Sequence, residues 1–395
     1  MDELTFLRER FACYYRENAP DLPPRFGRRE WGFMFFGGGY MVRHMAFRTT
    51  SDLIAFLRRK VPAHAYYSTA YYKDPSASRM SEKGWLGADL IFDLDSDHLP
   101  GAETMTFEEM LSAVKAEMGK LLDEFILGDL GIDEKDVRLA FSGGRGYHLH
   151  VAHPGVLGLS SSARKEIIDY ITGRGINLDL LLHRIVIDAR RSGRFTREKV
   201  TYRLPPLEHP GWGGRITRAV IAELDRIAAL PRREALADLM AIEGIGRKSA
   251  EAVFDRLRGD WRDDLRQGIV DIFPTRFPLK TFVAAVVERG RLSAMGEADE
   301  PVTTDIKRLI RLPGTLHGKT GLRVVGLTID RFREFDPLVD AIAFGDEEVE
   351  VVLTSDFSVS LGGENFDIPG GAATVPEYLA VFLLARRMAT LPCNG

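Results

Sequence analysis

The stretch Gly-Ala-Asp-Leu-Ile-Phe-Asp-Leu-Asp-Ser-Asp at residues 87–97 constrains the fold more than any other part of the chain. Read as a β-strand, it places the apolar side chains of Leu90, Phe92 and Leu94 on one face. The opposite face carries Asp89, Ile91, Asp93 and Asp95. Because Asp93 and Asp95 would lie roughly 6–7 Å apart, their carboxylates can converge on one or two hard divalent cations. The alternative is an exposed strand edge that its acidic residues keep soluble.

The composition is ordinary for a globular protein, with 395 residues of which 45% are hydrophobic and 28% charged. Cys13 and Cys393 are its only cysteines, which excludes a disulfide framework and a cysteine-only zinc or iron–sulfur site. The apolar run at 378–385 is too short to span a bilayer. The start of the sequence lacks the features of a signal peptide. We therefore expect a cytoplasmic protein with no membrane partner.

The net charge of -4 is unevenly distributed along the chain. Residues 330–395 carry twelve acidic and four basic side chains, so the rest of the chain is net positive. Residues 184–203 hold seven basic and two acidic side chains. This basic stripe suits a polyanion such as nucleic acid, although a charge run can also be an ordinary solvated surface.

A predicted helix and a second strand follow the acidic stretch. Thr106 and Glu109 form a capping box at the start of an amphipathic helix, and residues 137–141 return as a strand. That strand leads directly into Ser-Gly-Gly-Arg-Gly-Tyr-His-Leu-His at 142–150. The order predicts an α/β fold in which the carboxylates and the glycine loop lie at the ends of neighbouring strands.

The rest of the chain suggests a domain organisation. The pattern is mostly helical from about residue 160 to residue 291, and an α/β pattern resumes near residue 299. Three regions are therefore predicted: a discontinuous α/β core of residues 1–159 and 292–354, an inserted mostly helical subdomain of residues 160–291, and an acidic C-terminal region of residues 355–395 with a terminal helix. Within the core, residues 66–72 are predicted to form one strand.

The loop at 142–147 can bind phosphate. It offers backbone N–H groups in glycine-permitted conformations, the hydroxyl of Ser142 and the guanidinium of Arg145. His148 could contact an anion or lie packed. Such a loop alone is often an ordinary turn, but its position one strand away from paired aspartates favours phosphate binding.

A second cationic segment lies at 307–319. His317 and Lys319 follow the basic side chains of Lys307, Arg308 and Arg311. These cations either face the same polyphosphate or complement the dipole at the end of a helix. The segment alone does not decide between these interpretations.

Residues 242–250 resemble a helix-hairpin-helix turn, in which backbone N–H groups can bind a DNA phosphate. The predicted DNA contacts are Gly244, Gly246, Arg247 and Lys248. The same pattern also occurs as a plain helical connection. The other histidines, His64 among them, show no metal-ligand spacing and are expected to be ordinary core or surface residues.

Taken together, three segments resemble the catalytic small subunit of archaeal and eukaryotic-type DNA primases. The segments are Leu-Ile-Phe-Asp-Leu-Asp, Ser-Gly-Gly-Arg-Gly-Tyr-His and Arg-Leu-Pro-Gly-Thr-Leu-His-Gly-Lys-Thr-Gly, in the family's order. The resemblance covers most of residues 1–330. It implies a primase-polymerase catalytic core that synthesises short primers on single-stranded DNA from nucleoside triphosphates.

The resemblance also implies roles for individual residues. Asp93 and Asp95 match metal ligands for two Mg²⁺ or Mn²⁺ ions, with Asp299 as the third carboxylate and Asp305 as its alternative. The residues that match the family's nucleotide-binding motifs are Ser142, Gly143, Arg145, His148, Arg311 and His317. Further candidates are Glu30, Arg43 and Lys319.

One departure from the family concerns zinc. Family members commonly carry a zinc-binding Cys/His cluster before the glycine loop, but residues 96–141 contain no cysteine and only His98. We therefore predict no zinc. The resemblance also implies a primase large subunit, containing an iron–sulfur cluster, as the partner. The alternatives are an end-joining repair polymerase of the primase-like superfamily and a non-catalytic DNA-binding subunit.

Overall fold

A computed structural model of the protein describes residues 2–99, 101–192, 195–289 and 300–392, with the backbone alone at 98, 187–192 and 195–201. The chain divides into two compact units. One comprises Met1–Ile168 with Ser293–Gly395, and the other comprises Asp169–Leu292. The functional division into a core, an insert and an acidic C-terminal region stays a prediction.

Helices and strands are numbered along the chain. The α-helices are α1 (Glu3–Glu17), α2 (Thr50–Lys60), α3 (Phe107–Lys120), α4 (Pro154–Leu157), α5 (Ser161–Ile171), α6 (Leu178–Leu181), α7 (Trp212–Ala229), α8 (Arg232–Met240), α9 (Arg247–Arg256), α10 (Arg262–Arg266), α11 (Leu279–Arg289), α12 (Glu300–Thr304), α13 (Ile329–Glu334), α14 (Pro337–Asp340) and α15 (Glu377–Ala385). The strands are β1 (Trp31–Met34), β2 (Met41–Met45), β3 (His64–Ser68), β4 (Ala70–Tyr72), β5 (Trp85–Ala88), β6 (Leu90–Asp95), β7 (Val137–Phe141), β8 (Gly146–Val151), β9 (His183–Ser192), β10 (Phe195–Arg203), β11 (Leu309–Arg311), β12 (Val325–Leu327), β13 (Glu348–Leu353), β14 (Phe357–Leu361), β15 (Glu364–Ile368), β16 (Gly371–Pro376) and β17 (Ala389–Thr390).

The sheet that carries the aspartates and the glycine loop has the strand order β12-β7-β8-β6. Both β6 and β7 pair antiparallel with β8. The prediction that the two motif strands are neighbours was therefore wrong, because the glycine loop turns the chain back at once and places β8 between them. Since β6 and β7 run in the same direction, their carboxyl ends still reach one edge of the sheet.

The stretch at 87–97 is not one continuous strand. β5 ends at Ala88 and pairs with β4, whereas β6 begins at Leu90 in a different sheet. Asp89 is buried at this junction and forms an ion pair with Arg29 at 2.8 Å. It therefore neutralises a buried guanidinium and does not extend the acidic face of β6.

A second sheet has the order β11-β3-β1-β2. The predicted strand at 66–72 is divided between β3, in this sheet, and β4, which pairs with β5. The pairing of β3 with β11 places Arg311 opposite Tyr66. This pairing brings the late basic segment of the chain next to an early strand.

Helix α3 supports the sheet of the two motifs. Thr106 and Glu109 form the predicted capping box, and a π-type helix at Leu121–Asp129 continues α3. The helix packs against β6 and β8, and its apolar side chains, including Val114 and Met118, are buried. This packing fixes the strand that ends in the aspartates.

The C-terminal part of the first unit contains more strands than the sequence suggested. β13 pairs with β16 and β17, α15 packs against this sheet, and β14 forms a hairpin with β15. The predicted terminal helix is confirmed by α15. Strands β14 to β17 were missed because their alternation of polar and apolar residues is weak.

The second unit is built on α7, α8, α9 and α11, which share a hydrophobic core. The prediction of a mostly helical region missed the antiparallel pair of β9 and β10, which carries most of the basic stripe. Its charged residues obscure the apolar alternation by which a strand is recognised. Throughout the described parts of the chain, every helix is too short or too polar to cross a bilayer.

Candidate active site

The two aspartates lie at the end of β6. The register places Asp93 opposite His148, and His148 Nε2 lies 3.2 Å from the Asp93 carboxylate, whose side chain is 21% exposed. Asp95 pairs with Gly146, and its carboxylate accepts a hydrogen bond from the amide of Asp97 at 3.2 Å. The paired carboxylates therefore meet the end of the glycine loop.

The two carboxylates differ in their electrostatic surroundings. Burial disfavours ionisation of Asp93, but His148, Arg308 and Arg311 outweigh it and hold the pKa of this carboxyl below its usual value. Burial raises the pKa of Asp95, and the nearby charges of Asp97 and Asp93 add to this effect. Negative charge is therefore crowded at the end of β6.

Ser142 organises the glycine loop. Its hydroxyl oxygen accepts hydrogen bonds from the N–H groups of Gly144 and Gly146, both at 3.2 Å. Gly143 has a φ of +75°, which favours glycine, and a Cβ there would lie 2.7 Å from the Cβ of His317. Two of the N–H groups predicted to bind phosphate are thus engaged within the loop, and the Ser142 O–H remains as a donor.

Thr320 fixes the loop that contains His317. Its hydroxyl donates to the carbonyl of Gly143 at 2.5 Å, so its single proton is used. His317 Nδ1, 3.1 Å from the same hydroxyl oxygen, must therefore be the donor of that second hydrogen bond. Burial and the charge of Arg311 keep the pKa of His317 well below its ordinary value. The neutral imidazole consequently carries its proton on Nδ1 and leaves Nε2 unprotonated near Gly144.

Arg311 reaches this site from β11. Its guanidinium donates to His64 Nδ1 at 2.8 Å and lies 5.2 Å above the ring of Tyr66. Arg311 and Lys319 both act electrostatically on His317. The positive charge near His317 thus comes from Arg311 and Lys319 rather than from His317 itself.

Arg145 extends from the glycine loop to Asp97, with its guanidinium 2.5 Å from that carboxylate. Both side chains are partly exposed, so this ion pair contributes little to stability. Arg145 also acts electrostatically on Asp95 and on His317. Its side chain therefore lies between the acidic and the cationic parts of the site.

His64 was missed by the sequence analysis. Besides Arg311, its Nδ1 accepts a hydrogen bond from the N–H of Gly318 at 3.3 Å. The side chain is buried, and its ring centroid lies 4.9 Å from that of His317. No local signal could have found this role, because Arg311 is 247 residues away in the chain.

The two candidates for the third carboxylate are Asp299 and Asp305. Asp299 lies outside the described residues. Asp305, its alternative, follows α12, which packs against β6, and its carboxylate accepts a hydrogen bond from the amide of Lys307 at 2.8 Å. Helix α12, which begins at Glu300, therefore lies against the strand that carries the aspartates.

Glu30 is buried and forms an ion pair with the exposed Arg43. The carboxylate of Glu30 pairs with Arg43 Nε at 3.0 Å and with the buried Lys83 Nζ at 3.7 Å. Burial and Glu30 raise the pKa of Tyr72, and Asp305 adds to this effect. The charges of Glu30, Arg43 and Asp305 thus all act on the buried phenol of Tyr72.

The predicted hairpin of the second unit forms as a connection between α8 and α9. Gly244 has a φ of +82°, and Gly246 is the N-cap of α9. Arg247 is exposed and pairs with Glu251 at 3.0 Å, and Lys248 is exposed as well. DNA binding by this turn stays a prediction.

The sequence is similar to DNA primase small subunits of archaea. It is 44% identical to the DNA primase small subunit PriS of Methanothrix thermoacetophila, over 98% of both chains. The identity is 41% to PriS of Methanococcoides burtonii and 40% to PriS of Methanocella arvoryzae, each over 97% of both chains. The family model of the DNA primase small subunit matches residues 92–329.

The chain belongs to the DNA primase small subunit family. The resemblance inferred from the three motifs is confirmed, and membership makes the chain a catalytic small subunit of DNA primase, which is a nucleotidyltransferase. Its fold is mixed α/β with several small antiparallel sheets and a helical middle region.

The family implies divalent-metal catalysis, and the aspartates of β6 suit such a cation. Their oxygens are the ligands that hard cations prefer, and their crowded charge would be relieved by one. Within the part of the chain that the structure describes, no group of three or more His, Cys, Asp or Glu side chains could hold a metal ion. The predicted third ligand, Asp299, lies outside that part.

The lowered pKa values of three buried histidines make the stability of the primase subunit depend on pH. Burial holds the pKa of His64 at about 3 and those of His150 and His317 well below the ordinary value. As the pH falls below about 6.5, these histidines bind protons in the unfolded state but stay neutral in the folded state. The free energy of unfolding should therefore fall by up to about 1.4 kcal/mol per pH unit for each histidine.

Chemical denaturation between pH 7.5 and 5.5, a range set by the ordinary histidine pKa of about 6.5, measures this slope. His64→Asn should reduce this slope by the share that one histidine contributes. A free energy of unfolding that is constant over this pH range would contradict the prediction.

Proposed function

We propose that this chain starts and extends short primers on single-stranded DNA by template-directed nucleotidyl transfer, using two divalent cations and a nucleoside triphosphate. The observation that carries the proposal is the convergence of acidic and cationic side chains at one edge of the β12-β7-β8-β6 sheet. Asp95 pairs with Gly146 at the end of the glycine loop, Arg311 acts electrostatically on Asp93, and His317 lies beside Gly143.

Asp93, Asp95 and Asp299 would hold Mg²⁺ or Mn²⁺, with Asp305 as the alternative third ligand. Bound there, the cations would lower the pKa of the primer 3′-hydroxyl and neutralise charge on the leaving pyrophosphate. His148, 3.2 Å from Asp93, orients that carboxylate. No zinc is expected, because the chain lacks the cysteines of the family's zinc cluster.

The triphosphate would lie against the cationic side of the site. Arg311, Arg145 and Lys319 supply positive charge, and the Ser142 O–H and the turn at Gly143 shape the loop beside it. His317 is neutral with Nε2 unprotonated, so it must gain a proton there before it can donate to a phosphate oxygen. Glu30 and Arg43 are proposed as a supporting pair.

Template and partner contacts are proposed on other parts of the chain. The basic stripe at 184–203 and the turn formed by Gly244, Gly246, Arg247 and Lys248 would bind the DNA backbone, with an affinity that falls with salt. The description of the relatives as small subunits supports a primase large subunit as partner, and an iron–sulfur cluster in that partner is a further part of the proposal.

We also propose that the first unit corresponds to the primase-polymerase catalytic core, interrupted by the inserted subdomain. The test of the whole proposal is an assay with unprimed single-stranded template, nucleoside triphosphates and Mg²⁺ or Mn²⁺. De novo products support a replicative primase. Extension of annealed ends without initiation would favour the end-joining polymerase, and DNA binding without turnover would favour a non-catalytic subunit.

Arg311→Ala tests the triphosphate assignment. Since a guanidinium that binds phosphate equally in ground and transition states affects mainly KM, we expect KM for the incoming nucleotide to rise about 10- to 100-fold with a smaller change in kcat. Steady-state incorporation kinetics measure this, with Arg59→Ala on the exposed end of α2 as the matched control. An unchanged KM for Arg311→Ala would exclude the assignment.

A further inference from the structure

We propose that His64 is a positioning residue of the nucleotide site. Its Nδ1 accepts hydrogen bonds that orient the Arg311 guanidinium and hold the loop at Gly318 in place. The inference rests on the proposed function, in which Arg311 binds the triphosphate. It gives a functional role to His64, whose burial alone would suggest an ordinary core residue.

The hydrogen bonds of His64 define its chemical form. Both groups that reach Nδ1, the guanidinium of Arg311 at 2.8 Å and the N–H of Gly318 at 3.3 Å, can only donate. Nδ1 must therefore be unprotonated, and the ring proton must lie on Nε2. A protonated ring would lose both hydrogen bonds at once.

The surroundings keep the ring in this form. The side chain is 6% exposed and faces Arg311, Lys319 and the ring of His317. Burial, with the charges of Arg311 and Lys319, lowers the pKa of His64 to about 3. The acceptor is thus present at every pH at which the enzyme could work.

His64 also restricts where Arg311 can point. The guanidinium is held between the imidazole nitrogen and the face of the Tyr66 ring. Without the acceptor, it could turn toward Asp93, on which it already acts electrostatically. Gly318 packs closely against the residue before His64, because a Cβ at Gly318 would lie 2.8 Å from the Cβ of Ala63.

The test compares three substitutions that differ in the acceptor. His64→Leu removes it, His64→Asn keeps an amide oxygen near the place of Nδ1, and His64→Gln places its amide farther out. We expect His64→Leu to raise KM for the nucleotide about 10-fold with kcat within about 2-fold, and His64→Asn to restore KM to within about 3-fold. His153→Asn is the control for loss of a histidine.

A double-mutant cycle separates positioning from general damage to the fold. In an Arg311→Ala background, His64→Leu should change KM by less than about 2-fold, because the group that it positions is already gone. If His64→Leu does not fold, as thermal melting would show, His64→Gln takes its place with the same expected rise in KM.

The inference is wrong if the variant without the acceptor keeps the parent KM, if His64→Asn is as impaired as His64→Leu, or if the two effects multiply in the cycle. The failure of the proposed function looks different. In that case Arg311→Ala alone leaves KM for the nucleotide unchanged. If Arg311→Ala raises KM but His64→Leu does not, only the role of His64 is overturned.

Discussion

Asp93→Asn and Asp95→Asn are each expected to lower the rate of nucleotide incorporation by at least about 1,000-fold, or about 4 kcal/mol of transition-state stabilisation. An amide keeps the size of the side chain but removes the negative charge that would hold the cations. Both residues lie at the end of β6, where burial and the nearby charge of Asp97 disfavour an ionised Asp95. A bound cation would neutralise this negative charge. Primer synthesis on single-stranded template with Mg²⁺ or Mn²⁺ measures the effect.

The matched control is Asp133→Asn, an exposed aspartate that pairs with Lys135 away from the sheet edge. It should retain parental activity. Near-normal incorporation by both Asp93→Asn and Asp95→Asn would refute the two-cation site. Melting temperatures of the variants show whether any loss reflects the fold rather than the charge.

Gly146→Ala should cause a large loss of stability. A Cβ at this position would lie 2.3 Å from the carbonyl oxygen of Leu94 and 3.1 Å from the Cα of Asp95, so the backbone of β6 or β8 must move. Overpacking against backbone of this kind costs about 3 kcal/mol in the free energy of unfolding. Because the displaced strand carries the aspartates, incorporation should fall as well.

Gly119→Ala provides the same substitution in open space. Gly119 lies in α3, and a Cβ there would have no heavy atom within 4 Å. Alanine in a helix should raise the free energy of unfolding by up to about 1 kcal/mol. Chemical denaturation of Gly146→Ala and Gly119→Ala compares their free energies of unfolding. Equal stability of the two variants would show that the backbone of β6 can shift to make room for a Cβ at Gly146.

Several structural elements could be predicted locally because their signals are local. The capping box at Thr106 and Glu109 starts α3, and the apolar residues after Leu90 form β6. The split of residues 66–72 into β3 and β4 could not be predicted, since the change of sheet depends on which strands pair with each half. The antiparallel pair of β9 and β10 was missed because its charges hide the strand period.

The motif residues of the candidate site could be predicted from the sequence, but their protonation states could not. Asp93, Ser142, Arg145 and His317 stand out as motif residues, and the structure brings them toward one edge of a sheet. The protonation state of His317 could not be read from its motif. It depends on the hydroxyl of Thr320 having given its only proton to the loop at Gly143.

By itself, the sequence determined the family, the chemical character of the motifs and the strands and helices that carry them, because these depend on residue type and on periodicity over a few residues. Only the tertiary structure decided that β8 separates the motif strands, that Asp89 is a buried partner of Arg29, and that His64 meets Arg311. The physical reason is that hydrogen bonds, burial and electrostatic shifts arise between groups far apart in the chain, and folding alone places them within a few ångströms of one another.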